Sequence, residues 1–446
     1  MKLLDFGLEE AEEAEVYQIK AQATPVKFSS GELDSAKSVE TRGQALRLVS
    51  EGRLGYATAT TDGDRETERD KELVQKALEA SRFGDRAPFQ FPAPQAMEQI
   101  RTRDRELVDL SPAELIEMGE ELIGSLEKFD PDLQVDVNLS KSLSQVRIAN
   151  SNGLDLEEER TSLGITLSVQ QVRGEDIFSF YLSSSGKELD WVEPSALLEQ
   201  ALTRLRWAEK TTQVGRGPNS VLFTPQGSLV LLFPLLSGFN GKNVYLGSSP
   251  LEGRLNEQVL DSRFNLVDDG RVEGAGGSCS FDDEGIPTRR KEIFSAGVLK
   301  NFLYDLRTSA LCSAEPTGNG FKGGMLGDDG FRSLPSTGPS NLIIEGGERS
   351  FEGLLAEIES GILVDGVLGL GQGNPSSGQF SNNVSVAYKV ENGEIVGRIK
   401  NTMIAGNVYE LLEDGLIGLG SEAEWVGGSL KVPPIAVDGV NVVGEG

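Results

Sequence analysis

Leu133-Gln134-Val135-Asp136-Val137-Asn138-Leu139 and Leu163-Gly164-Ile165-Thr166-Leu167-Ser168-Val169 set every second side chain in an apolar series. Successive side chains of a strand point to opposite faces, so this period of two predicts strands with one face in a core and one in water. Between the runs, Asn150-Ser151-Asn152-Gly153 supplies residues tolerant of positive φ, a turn from Ile148 to Leu154. Together these pieces predict an antiparallel meander. Val26–Phe28 and Ala45–Val49 are arranged similarly around turn-rich sequence, but the identity is too low to make the two meanders a repeat.

Helices are expected on either side. Glu66–Arg82 reads as a charged surface helix. Ser111-Pro112-Ala113-Glu114 carries a complete start signal, with Ser111 as N-cap, Pro112 in the first turn and Glu114 closing a capping box. Leu115, Met118, Leu122 and Leu126 follow at helical spacing. Pro194 opens another helix, with Leu198, Ala201, Leu205 and Ala208 on one side.

Both periodicities stop at Gly215-Arg216-Gly217-Pro218-Asn219, the best boundary candidate. The expected division is an N-terminal α+β domain over 1–214, with a candidate sub-boundary near 90–105, and a C-terminal domain over 219–446. Many of the 53 glycines crowd into the back half, as in Val364–Gly373 and Gly415–Gly420. Glycine inside short strands marks bulges and sharp curvature, so the second domain is expected to be a strongly curved antiparallel sheet with few helices. The fold class is α+β.

Composition removes whole classes of chemistry. The 446 residues include no histidine, so a Ser-His-Asp or Cys-His system has no imidazole base, and zinc lacks its commonest neutral ligand. A formal charge of −28 repels phosphate backbones and anionic headgroups, so neither nucleic acid nor membrane is an expected partner. Met1–Glu15 lacks a basic region followed by an apolar stretch, and two cysteines make no disulfide framework, so a cytoplasmic location is expected.

Three candidate chemistries remain. Phe281-Asp282-Asp283-Glu284-Gly285-Ile286-Pro287-Thr288 gathers three carboxylates, which could bind a metal or act as acid and base. The plainer reading is a solvated hairpin turn with Asp capping amides and Gly285 at positive φ. Cys279 and Cys312 could join a carboxylate around zinc, but their spacing fits no familiar site, and buried free thiols are the plainer reading. Ser125 and Lys128 form an SxxK pair on the capped helix, where ordinary helix surface explains them. No phosphate loop occurs, and Gly418–Ala423 lacks the strand that a dinucleotide loop should follow. Ser228–Phe239 is apolar nearly all round and reads as a buried helix capped by Ser228, with Pro234 bending its later half.

Phe281–Thr288, Pro316-Thr317-Gly318-Asn319-Gly320, Ile404-Ala405-Gly406-Asn407 and Gly428-Ser429-Leu430-Lys431-Val432-Pro433 occur in that order, with Ala149–Gly153 ahead of them. In this order and spacing the chain resembles the TldD/PmbA (modulator of DNA gyrase) family of metallopeptidases, and within it the PmbA (TldE) branch. The resemblance implies that the TldD branch holds its metal with an HExxxH helix and a late cysteine. At those places this chain has the apolar helix after Gly227 and Trp425-Val426-Gly427-Gly428-Ser429, with no ligand at either.

The resemblance therefore implies a two-domain subunit with no catalytic residue and no cofactor of its own. Zinc is expected in a TldD-like partner, with which it would form a heterodimer enclosing unfolded or leader-bearing peptides. Asp282, Asp283, Glu284, Thr288, Asn319 and Gly320 are expected to face the cleft or the partner and to position amides or peptide. Two alternatives stand beside this: a self-sufficient hydrolase centred on Asp282, Asp283, Glu284 and Cys279, and a peptide-binding scaffold or homodimer.

Overall fold

The computed structural model describes residues 1–60, 66–323 and 330–444. The quoted runs lie in two long strands of a seven-stranded antiparallel sheet. Its strands are β1 (Glu13–Ser29), β2 (Glu32–Ala36), β3 (Val39–Ser50), β4 (Arg53–Thr60), β5 (Gln134–Asn150), β6 (Asp155–Arg173) and β7 (Asp176–Gly186). They are ordered β4-β3-β1-β5-β6-β7, with β2 added to β1. Val135 lies opposite Val169, Val137 opposite Leu167 and Leu139 opposite Ile165, so the two apolar series share one face. Asn150 closes the turn by accepting the Asn152 and Leu154 N–H groups on Oδ1, and Gly153 takes a φ of 86°.

Helices cover that face. Pro112–Phe129 buries Leu115, Leu122 and Leu126 against Phe28, Val137 and Leu167, while Met118 is half-buried. Its capping box is complete: the Ser111 side chain accepts from Glu114 N, and Glu114 accepts from Ser111 N. Pro194–Trp207 buries Leu197, Ala201 and Leu205, with Leu198 half-buried, so its stripe sits one position off the expected line at its start. Lys2–Glu10 and Glu66–Ser81 cover the other end, packing Leu3, Leu73 and Val74 on Val16, Leu46 and Leu48. Each fully buried aliphatic side chain contributes about 1.5–3 kcal/mol.

Residues beyond 210 build the second half. Ser360–Val367, Gly217–Phe223, Ile435–Val443, Met403–Asn407 and Gln379–Glu391 pair in sequence, and Gln379–Glu391 pairs back onto Ser360–Val367. That last pairing closes five strands into a barrel-like ring. Glycines sit where the curvature is sharpest: the register slips around Gly366 and again before Gly418. A six-stranded sheet lies alongside, running Val298–Leu299, Arg290–Ser295, Leu266–Asp269, Leu342–Ile344, Leu430–Val432, Glu424–Val426. Most pairings are antiparallel, but Ser360–Val367 runs parallel to Gly217–Phe223, and Leu342–Ile344 parallel to Leu430–Val432.

Leu229–Gly238 is the expected buried helix, with Val230, Leu231, Leu232 and Leu235 against Val221, Phe223 and Val437. Its start differs from the expectation. Ser228 is already in a helical conformation, and its hydroxyl donates back to the Thr224 carbonyl at 2.9 Å instead of capping the helix. The two halves are tied by a buried pair, Arg204 donating to both oxygens of Asp365 at 2.6 and 2.7 Å. Among the described residues no helix is long and apolar enough to cross a membrane.

Candidate functional site

The turn at 281–288 is not solvated, because the uncovered face of the first sheet closes over it. Asp282, Asp283 and Glu284 are all buried. Asp282 does cap amides, as expected: Oδ1 accepts from Glu284 N at 3.0 Å and Ile286 N at 2.9 Å, and Oδ2 from Gly320 N at 2.8 Å. Gly285 takes a φ of +78°, and a Cβ there would come within 2.5 Å of the Leu154 side chain. The solvated reading fails on exposure alone.

Two quoted motifs prove to be bonded neighbours. Asp283 N donates to Gly320 O at 3.0 Å, and the Glu284 carboxylate lies so close to Gly320 that a Cβ would sit 2.2 Å from Oε2. Glycine is required at 320 for that approach. Asn319 is fully buried and donates to Asp268 Oδ2 and to Gly338 O, each at 2.9 Å. Thr288 is buried, its hydroxyl donating to the Cys279 carbonyl.

Sequence reading missed what neutralises Glu284. Arg47 of β3 donates Nη1 to Glu284 Oε1 at 2.7 Å and Nε to Glu15 Oε1 of β1 at 2.9 Å. The other Glu284 oxygen accepts from Leu306 N at 2.7 Å. Register places Glu15 opposite Arg47 and Arg47 opposite Tyr56, all on the face that also holds Tyr17. Tyr17 bonds to Asp283, which also accepts the Lys322 N–H at 2.8 Å. The Lys322 ammonium lies 5.1 and 5.0 Å from the Tyr17 and Tyr56 ring centroids.

Burial dominates the electrostatics here. It raises Asp282 well above the usual carboxylate range, with the neighbouring Glu284 charge adding to the effect. It also raises Glu284 and Glu15, against the pull of Arg47. Lys322 is lowered to about 8, by burial first and Arg47 second. The Cys279 thiol is pushed up to about 12 by burial, so it is protonated at neutral pH and a poor metal ligand.

Beside this network opens a cleft of about 580 Å³, walled by β6, β7 and the second half. Arg160, Lys187, Cys279, Phe321, Lys322 and Ser429 are among its lining residues. None of Asp282, Asp283, Glu284, Thr288, Asn319 and Gly320 lines it; their neighbours Cys279, Phe321 and Lys322 take that place. A second cavity, of about 300 Å³, shares the Phe321 and Pro339 walls and reaches Phe233 and Leu236 of the apolar helix. The helix and the 425–429 segment, far apart in sequence, thus border adjoining spaces.

Comparison with known proteins fits this arrangement. The PmbA/TldA metallopeptidase domain 1, central domain and C-terminal domain match residues 14–81, 105–209 and 216–444. The chain belongs to the TldD/PmbA family. It is 27% identical to an uncharacterized protein of Methanocaldococcus jannaschii, over 93% of both chains. A metalloprotease of the same organism is 24% identical, over 92% of this chain and 89% of that one. The crystal structure of TldE from Thermococcus kodakarensis superimposes with a TM-score of 0.89 at 25% identity, covering 99% of each chain.

At the two places where the resemblance would put metal ligands, the side chains present do not suit zinc. Leu229–Gly238 reads LVLLFPLLSG, and the cleft segment 425–429 supplies Gly427 and Ser429. The nearby carboxylates of Asp282 and Glu284 are engaged on both oxygens by N–H donors. Cys312 is half-buried on the Leu306–Cys312 helix, where its thiol faces the Gly241 carbonyl. Among the described residues no three Cys, Asp or Glu side chains are grouped to hold a metal ion.

Proposed function

We propose that this chain is the non-catalytic, PmbA/TldE-like subunit of a cytoplasmic TldD-type metallopeptidase, completing with a zinc-bearing partner a chamber for unfolded or leader-bearing peptides. The observation that carries the reading is the apolar helix Leu229–Gly238. By the family resemblance it stands where a metal-binding helix would sit, and its side chains can neither ligate zinc nor activate water, four of them being buried in the core. Similarity to TldE supports it.

The internal state of the acidic turn supports it further. A self-sufficient hydrolase would need free oxygens or a reactive thiolate, whereas Glu284 is bonded to Arg47 and Leu306 N, and Cys279 stays protonated. In this reading the turn is a structural joint between the halves, and peptides are handled by cleft walls and strand edges through backbone hydrogen bonds.

The test mixes the purified chain with a TldD-like, HExxxH-bearing protein and follows cleavage of an unstructured peptide. The chain alone should be inactive, and the mixture active and chelator-sensitive. Equal activity of the chain alone would contradict the proposal, and a homodimer that ignores TldD-like proteins would favour a scaffold.

A further inference from the structure

The cleft beside β7 carries charge of one sign. Among the described residues Arg160, Lys187 and Lys322 line it and no carboxylate does, in a chain with a formal charge of −28. The Lys322 ammonium is already bonded, to the Tyr56 hydroxyl at 3.2 Å and the Ser333 carbonyl at 3.0 Å. Lys187 is not. It is only 7% exposed, yet among the described residues its ammonium has no hydrogen-bond acceptor and no ion-pair partner.

Arg160 has the same deficit at one nitrogen. Its Nε donates to Glu158 Oε2 at 2.6 Å, but its Nη2 is buried with no partner. Glu158 is already engaged on both oxygens, the second by Ser280 N at 2.8 Å. The protonated Cys279 thiol adds no charge. Arg160 and Lys187 thus share the single Glu158 carboxylate, and buried cations short of counter-charge are costly, so the site is suited to an incoming anion.

The walls indicate what carries that anion. β7 and Glu424–Val426 are edge strands of their sheets, and Ser185 and Gly186 at the end of β7 line the cleft. Gly276, Gly277 and Gly427 line it too, leaving backbone accessible to an extended chain. We propose that Lys187 and Arg160 bind a carboxylate of a peptide lying in this cleft, either its C-terminus or an acidic side chain. This rests on the peptide-handling reading above and adds to it a charge preference.

The experiment uses the isolated chain, so it does not depend on cleavage or on a partner. Calorimetry compares an acetylated, unstructured neutral peptide as free acid, as C-terminal amide, and as an amide with one internal Glu. At least one carboxylate-bearing form should bind about tenfold or more tightly than the neutral amide, and which one does identifies the source. Lys187→Met should remove the difference, and Arg160→Lys should narrow it.

A protonation signature separates ligand contact from a merely structural role. Lys187, facing Arg160, Glu158 and Cys279, is lowered to about 8 by burial. At pH 8.5 it is mostly neutral, and a bound carboxylate would raise it, so binding should take up protons in the native chain and none in Lys187→Met. Equal affinity for acid and amide forms, no binding of any peptide, or binding of inorganic phosphate alone overturns the proposal. The acid-to-amide ratio on the native chain decides the matter even if a variant does not fold.

Discussion

β5 passes through two environments on one side of its sheet. Gln134, Asp136, Asn138 and Ser140 are exposed there, whereas Val146, Ile148 and Asn150 further along the same face are buried. The first stretch is an ordinary wet face opposite a helix-covered core. The second lies under the back half of the chain, together with Glu15, Arg47 and Glu158 of the neighbouring strands. The lesson is that polar alternation marks a face without saying what covers it. Here one covered region packs apolar side chains on helices, and the other sets paired charges beside a smaller apolar cluster of Tyr17, Val146, Ile148 and Phe281.

Changes on the two sides should separate these terms. The largest effect is expected for Arg47→Met, which leaves Glu15 and Glu284 buried without their cation: about 3–5 kcal/mol lost in urea unfolding. A loss below about 1 kcal/mol would mean the network is no more than tolerated. On the helix-covered side, Leu167→Ala should cost about 3 kcal/mol by leaving a cavity among Val137, Leu122 and Leu126.

A pH series sharpens the contrast further. Lys187 is held near 8 in the folded chain against an ordinary 10.5, so between those values the unfolded chain binds more protons and stability rises with pH. From pH 7.5 to 10 the native chain should gain on the order of 2 kcal/mol relative to Lys187→Met. No change in that difference would show Lys187 to be solvated. The smallest effect is Ser111→Ala, which opens the capping box on the helix-covered side and should cost about 1 kcal/mol by thermal unfolding.

What could be read in advance followed from local rules. Ser111, Pro112 and Glu114 mark a helix start by themselves, and Leu133–Leu139 and Leu163–Val169 determine their own face. The slips at Gly366 and Gly418 match the glycine signal for curvature. Glu15 and Arg47 were illegible because their counterpart, Glu284, lies 237 residues beyond Arg47. The same distance in sequence concealed the burial of Asp282 and Asp283. Ser228 misled because the Thr224 carbonyl begins the helical turn before it, accepting both its N–H and its hydroxyl.

The central claim is that this chain supplies architecture and substrate contacts while a sibling supplies the metal. The most direct measurement is zinc content by mass spectrometry of the chain purified alone, beside the same chain co-purified with an HExxxH-bearing relative. The account predicts no stoichiometric zinc in the isolated chain and zinc in the complex tracking the relative. Stoichiometric zinc in the isolated chain, lost on Asp283→Ala, would contradict it.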